Sequence, residues 1–304
     1  MNATKKTVYA ALLGNLAIAL FKFIAALVTR SSAMLAEAYH SLSDTANQIF
    51  LLIGIKLSKR EATQLHPFGH AREQYFWSFV VAVILFGVAG TLSIREGYSS
   101  LLHPETIKNV YWSYAAILVG FIFDGYALRL AHKQMKKLQK EEHYDNLFLT
   151  IKHSKNPTVL TVFMEDSLAI IGLGIAAVSI TLTYITGNHI YDAIGSIIIG
   201  VLLMIFALML GYEVKKLIIG ESISYRKKRK IRAIVESFDE VQKVFTLKTM
   251  HLSDEVVIIG LEIKYNGNLR IRQVEKINDQ IEARVKEIIP QAKCFIEPEN
   301  KAMD

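Results

Sequence analysis

The stretch MLAEAYHSLSDTANQIFLLIGIKL, residues 34–57, decides how the chain is read. It is apolar enough for lipid or a large core, yet it carries Glu37, His40, Asp44, Asn47 and Gln48. His40 and Asp44 are four residues apart, so on a helix they stack one turn above the other. Ionisable groups are expensive in hydrocarbon, and where they occur there they mark function by default. Whether lipid or water surrounds these two depends on the rest of the chain.

The chain has 304 residues, 52% of them hydrophobic, and six segments long and apolar enough to span a bilayer: 8–29, 32–57, 75–101, 110–131, 157–185 and 190–219. A crossing helix needs about 20 such residues. The first segment follows Lys5 and Lys6, but its apolar run is too long for a cleavable signal and is read as a span. Lys22 inside it has two outlets, snorkelling to the interface or pairing with an acidic group on a neighbouring helix. The net charge of +7 fits loops facing the cytoplasm rather than nucleic acid. Lys56, Lys59, Arg60 and Arg72 follow the second segment, and Lys133, Lys136, Lys137, Lys140, Lys152 and Lys155 follow the fourth. Lys215, Lys216 and the run YRKKRKIR follow the sixth. That alternation expects both termini in the cytoplasm, and an even number of spans agrees with it. No nucleic-acid reading motif accompanies the basic run, which is expected to lie near anionic membrane lipid.

After Gly220 the pattern changes. VQKVFTLKTMHLS and EVVIIGLEIKYNG alternate as half-buried strands do, NLRIRQVEKINDQIEARVKEII has helical period, and AKCFIEPE reads as a last strand. The expected fold is a six-transmembrane-helix bundle, residues 1–219, with a small cytoplasmic α+β domain of order αββαβ, residues 220–304. Cys294, the only cysteine, excludes an internal disulfide and a cysteine-rich zinc site.

In the fifth segment, NPTVLTVFMEDSLAIIG, Glu165 and Asp166 stand in an otherwise apolar run. The boundaries bring Asp166 to a membrane depth that overlaps that of His40 and Asp44. A neutral imidazole with carboxylates suits a first-row divalent ion, zinc above all, with manganese, iron or cobalt also accommodated. Those ligands must lose protons to bind, so proton entry from outside expels metal and metal arrival from inside expels protons. Asn47 continues the face of His40 and Asp44 as a ligand or an interhelical hydrogen bond. Asp124 is expected in a proton path or in the same cluster, and Glu37 near the outer mouth. The plainer alternative is that His40 and Asp44 pair with each other or with Lys22 and only hold helices together.

AEAYHSLSDTANQ, HPFGHAREQYFWS, six spans and an αββαβ tail together resemble the cation diffusion facilitator family over essentially the whole chain. NPTVLTVFMEDSLAIIG and TGNHIYDAIGSIIIG resemble its zinc transporter 9 branch more particularly. The resemblance implies a homodimer that exports a divalent metal, commonly zinc, in exchange for protons; an intramembrane enzyme is not expected, since the sequence offers no nucleophile or metalloprotease motif. It implies a transport site of two residue pairs, each four apart, in spans two and five. His40 and Asp44 match the first pair and Asp166 the end of the second, while Val162 stands where the remaining ligand is expected. The resemblance also implies a loop metal site at His66 and His70, with Thr63 in place of its aspartate. In the tail Glu297 and Glu299 fall at part of a second metal site, but Phe245 and Gly260 replace its histidines, so a weak site or none is expected there. His251 is read as an ordinary strand histidine. The simpler reading of HPFGH is a tight turn that seats the loop on the cytoplasmic domain. The expected location is a cell membrane, a bacterial inner membrane above others. The rival function is a membrane-anchored metal sensor or scaffold working through its cytoplasmic domain.

Overall fold

The computed structural model describes the backbone of residues 2–142, 145–153, 157–253, 256–267 and 269–300; side chains are described there except at 2–11, 84–86, 141–142, 148, 152–153 and 157–158. Of the lysines in the charge pattern, Lys155 and the side chains of Lys5, Lys6 and Lys152 fall outside that set. The chain divides into two compact units, Met1–Lys56 with Phe76–Val214, and Leu57–Tyr75 with Lys215–Asp304.

The first unit is built from α1 (Asn2–Thr29), α2 (Ser32–Ser58), α3 (Glu73–Val80), a π-helical segment (Val81–Phe86), α4 (Gly87–Leu102), α5 (Tyr111–Glu142), α6 (Leu147–His153), α7 (Pro157–Thr186) and α8 (Ile190–Ile219). Among the described residues five stretches are long and apolar enough to cross a membrane: Leu12–Thr29, Glu73–Leu102, Tyr111–Lys140, Val159–Thr186 and Ile190–Ile219. α2 has 27 residues, so it is long enough to cross as well, and its middle is made polar by His40, Ser41, Ser43, Asp44, Asn47 and Gln48. With α2 the bundle has its six long helices. Leu20, Ile24 and Leu27 on α1, Leu118 and Ile122 on α5 and Leu208 on α8 are exposed. Apolar area on that scale is a liability in water and an asset in hydrocarbon, so this is a multi-pass membrane protein.

Two features depart from the sequence reading. The third span is interrupted by the π-helical turn at Val81–Phe86, where each turn takes an extra residue and the faces on either side shift in phase. α5 runs on to Glu142, and a short α6 follows. Hydropathy misses the extension because HKQMKKLQKEE is polar, although Lys, Gln, Glu, Leu and Met are all good helix formers.

α4 and α8 are held at backbone distance. A Cβ on Gly97 would stand 2.6 Å from the Ala193 carbonyl oxygen, and one on Gly200 would stand 2.7 Å from that of Gly90. No side chain fits between the two helices at these points. The Ser196 hydroxyl donates to the Ser93 carbonyl at 2.8 Å. Small residues allow this approach where lipid supplies no hydrophobic force between helices.

The second unit contains α9 (Tyr225–Glu236), β1 (Val241–His251), β2 (Val256–Tyr265), α10 (Ile271–Ile288) and β3 (Gln291–Pro298), the expected αββαβ order. β1 and β2 pair antiparallel, and β2 pairs parallel with β3 after the α10 crossover. On β2 the alternate residues Val257, Ile259, Leu261 and Ile263 are buried, as a period of two requires. They meet Ile231 and Val235 of α9, and Ile277, Ile281 and Val285 of α10, which recur every fourth residue along their helices. The Ser224 side chain caps α9 by accepting from the Lys227 amide.

Leu57–Tyr75, read from sequence as part of the membrane domain, belongs to this second unit. The Lys293 ammonium donates to the Phe68 carbonyl at 3.3 Å, and the Phe68 and Phe295 rings meet edge to face at 6.1 Å. Arg72 donates to the Met250 sulfur at 3.0 Å. The loop therefore sits on the sheet, as the simpler reading of HPFGH expects.

Candidate metal-transport site

The start of α2 is fixed from α8. The Asp192 carboxylate, in the first turn of α8, accepts from the Ser32 and Ala33 amides and from the Ser31 and Ser32 hydroxyls, at 2.6–3.4 Å. Those amides are among the donors that a helix start leaves unpaired, and a carboxylate there also complements the helix dipole. This anchor sets the height of everything further along α2.

Two turns on, His40 Nε2 lies 3.5 Å from Asp44 Oδ1, with the His40 side chain 1% and the Asp44 side chain 19% exposed. Across from them α7 presents Glu165. Its carboxyl group is within hydrogen-bonding reach of Asp44. Asn47 donates to both Glu165 oxygens, at 2.8 and 2.9 Å. Of the acidic pair on α7, it is therefore Glu165 that touches α2. Asp166 makes no hydrogen bond or ion pair among the described residues, and its electrostatic neighbours are Glu165 and Asp124. Val162 is exposed. Among the described residues no three His, Cys, Asp or Glu side chains close on one point as metal ligands. His40, Asp44 and Glu165 form a chain of pairs instead.

A second polar group lies in the same unit. The Lys22 ammonium is 3.2 Å from Glu37 Oε2 and 3.3 Å from Asp124 Oδ2. Lys22 and Glu37 are buried, so the first outcome considered for Lys22, snorkelling, gives way to pairing. Glu37, expected near the outer mouth, is buried and paired with Lys22, as a carboxylate out of water requires. The sequence carried half of this signal: an isolated Lys and an isolated Glu in separate apolar runs each require a partner. It does not say that they choose each other.

The loop histidines come together, with no third metal-binding side chain beside them among the described residues. The His66 and His70 rings are 4.5 Å apart between centroids, and the turn places Gly69 at a φ of 87°. His66 Nδ1 is 3.5 Å from the Thr63 hydroxyl, and His70 Nδ1 is 3.2 Å from the Glu61 carbonyl oxygen. In the tail His251 Nδ1 is 3.3 Å from the Ser253 carbonyl oxygen, Glu297 is exposed, and Phe245 lies under the Lys243 ammonium. Burial, followed by the nearby Glu282 carboxylate, pushes the Cys294 thiol up to about 11, so at neutral pH it is a thiol and not a thiolate ligand.

The chain matches the family model described as the cation efflux transmembrane domain over residues 8–219, and that described as the cation efflux protein cytoplasmic domain over residues 224–301. It belongs to the cation efflux, or cation diffusion facilitator, family of transporters. It is 30% identical over 270 residues to the proton-coupled zinc antiporter SLC30A9, mitochondrial, of Mus musculus and of Homo sapiens, covering 88% of this chain and 47% of each relative. It is 29% identical over 279 residues to metal tolerance protein C4 of Arabidopsis thaliana, covering 90% of this chain and 60% of that one. A shorter match, 33% over 109 residues, is to magnetosome protein MamM of Paramagnetospirillum magneticum, covering 35% of this chain and 34% of that one. The chain spans about half the length of the SLC30A9 relatives.

Proposed function

We propose that the protein exports a divalent transition-metal cation, zinc first, from the cytoplasm in exchange for protons. It works as a homodimer in a bacterial inner membrane, with both termini in the cytoplasm. The metal is held by His40, Asp44 and Glu165, with Asn47 orienting Glu165 and Asp166 beside them. The observation that carries this is the run of contacts from His40 through Asp44 to Glu165, which joins an imidazole and two carboxyl groups across α2 and α7. That donor set favours zinc and accommodates manganese, iron or cobalt. Exchange is supported by the same contact. Two carboxyl groups share a hydrogen bond only with a proton between them, and a cation in that place needs the proton gone. The names of the mitochondrial relatives point to the same chemistry, and the match to a family domain known from cytoplasmic parts supports pairing through the tail. The bias of Lys and Arg supports the orientation.

The test is flux in proteoliposomes with zinc, manganese, iron and cobalt in turn, under an imposed pH gradient. His40→Ala, Asp44→Ala and Glu165→Gln are each expected to lower flux by about a hundredfold or more, and Asp166→Asn by less, as loss of a ligand compares with loss of a neighbour. Unchanged flux in the first three ends the reading. The rival, a sensor or scaffold acting through the tail, predicts metal binding that survives all three substitutions.

A further inference from the structure

Lys22 is fully buried between two carboxylates from two other helices, and space has been left for it. On α5, a Cβ at Gly120 would stand 3.2 Å from Lys22 Cε and 2.9 Å from Leu173 Cδ1. On α7, a Cβ at Gly172 would intrude on Glu37 Oε1. That oxygen has no hydrogen-bond partner among the described residues. A pair whose only task was to bind helices would be expected to use both oxygens. Asp124, the third member, is different from the other two: its side chain is 22% exposed, against 1% and 0% for Lys22 and Glu37. The group lies beside the site, since the same Gly172 Cβ that meets Glu37 would stand 3.9 Å from His40 Nδ1, and Asp124 is the member whose charge acts on both Asp44 and Asp166. Asp124 is therefore a carboxylate near the metal-holding residues that spends its hydrogen bond on an ammonium.

We propose that Lys22 is a resident cation that withholds Asp124 from the transported metal, which makes Lys22 a positioning residue for the site. The inference rests on the reading that the metal binds at Asp44 and Glu165. A site that gathered every nearby carboxylate would bind a divalent ion tightly and release it slowly. With Asp124 occupied by the ammonium, the ion meets fewer anionic ligands and a fixed positive charge close by, and both speed its departure.

The experiment is calorimetric zinc titration of the full-length protein in nanodiscs, paired with proteoliposome flux. Lys22→Met with Glu37→Gln removes the cation and neutralises its other partner. This variant is expected to bind zinc at least about tenfold more tightly and to turn over more slowly, an effect opposite in sign to that of structural damage. Adding Asp124→Asn is expected to return the affinity towards wild type. Unchanged or weaker binding in the double variant, or tight binding that survives Asp124→Asn, overturns the proposal. Should the double variant fail to fold, Asp124→Asn alone still decides: it is expected to weaken zinc binding far less than Asp44→Asn, and equal losses would show Asp124 to be a ligand already. Wild-type protein that binds no metal overturns the transport reading and this inference together. A wild-type protein that binds normally beside an unaltered double variant overturns this inference alone.

Discussion

The two units bury different things. The carboxy-terminal core is made of Ile231, Val235, Val257, Ile259, Leu261, Ile263, Ile277, Ile281 and Val285, and its buried polar residues among those described are small hydroxyls such as Ser224 and Thr249. The helical unit buries Lys22, Glu37, His40 and Asp192 outright. In water, removing apolar surface drives assembly by itself, so the small domain needs no charge inside. In lipid the tails are as apolar as the side chains, and helices must find each other by close packing and polar contacts. The same residue type thus has a different meaning in each unit: a buried charge in the tail would be a fault, and in the bundle it is how the helices are ordered.

Four substitutions or treatments break or sharpen that contrast. The largest effect is expected from Glu37→Ala, which takes from the Lys22 ammonium its fully buried carboxylate and leaves it only the part-exposed Asp124, and costs about 3–5 kcal/mol, read as a lowered unfolding midpoint in detergent. Its counterpart in the tail is Ile259→Ala, at a fully buried position. This should cost about 2–5 kcal/mol by leaving a cavity, seen as faster amide exchange along β1 and β2 of the full chain. Ser224→Ala removes the α9 cap and is expected to cost about 1 kcal/mol, measured the same way at the first turn of that helix. The smallest consequence concerns Cys294. Because burial raises its thiol to about 11, alkylation by iodoacetamide should be slow at pH 7 to 8 and rise only as pH approaches that value. Rapid labelling at neutral pH would show the β3 region to be open.

Much of this organisation is legible in the sequence because it depends on local period. Long apolar runs gave the spans, alternation gave β1 and β2, and a spacing of four gave the His40–Asp44 contact. What was not legible depends on rotation and pairing between distant elements. Glu165 and Asp166 are adjacent, and which of them meets α2 is decided by the turn of α7 about its own axis, which no spacing within α7 records. The π-helical turn at Val81–Phe86 leaves no mark in an apolar run. Lys22 finds Asp124 across 102 positions of chain, a choice made only once α1, α2 and α5 have packed.

The backbone contact between α4 and α8 has a mechanical consequence. Two rods that touch through glycine, with Gly97 against Ala193 and Gly90 against Gly200, cannot slide or roll past each other without steric collision. They form a keel. In the proposed exchange α4 and α8 therefore move as one piece, and a bulky residue at Gly200 is expected to wedge that piece apart without touching Asp44 or Glu165.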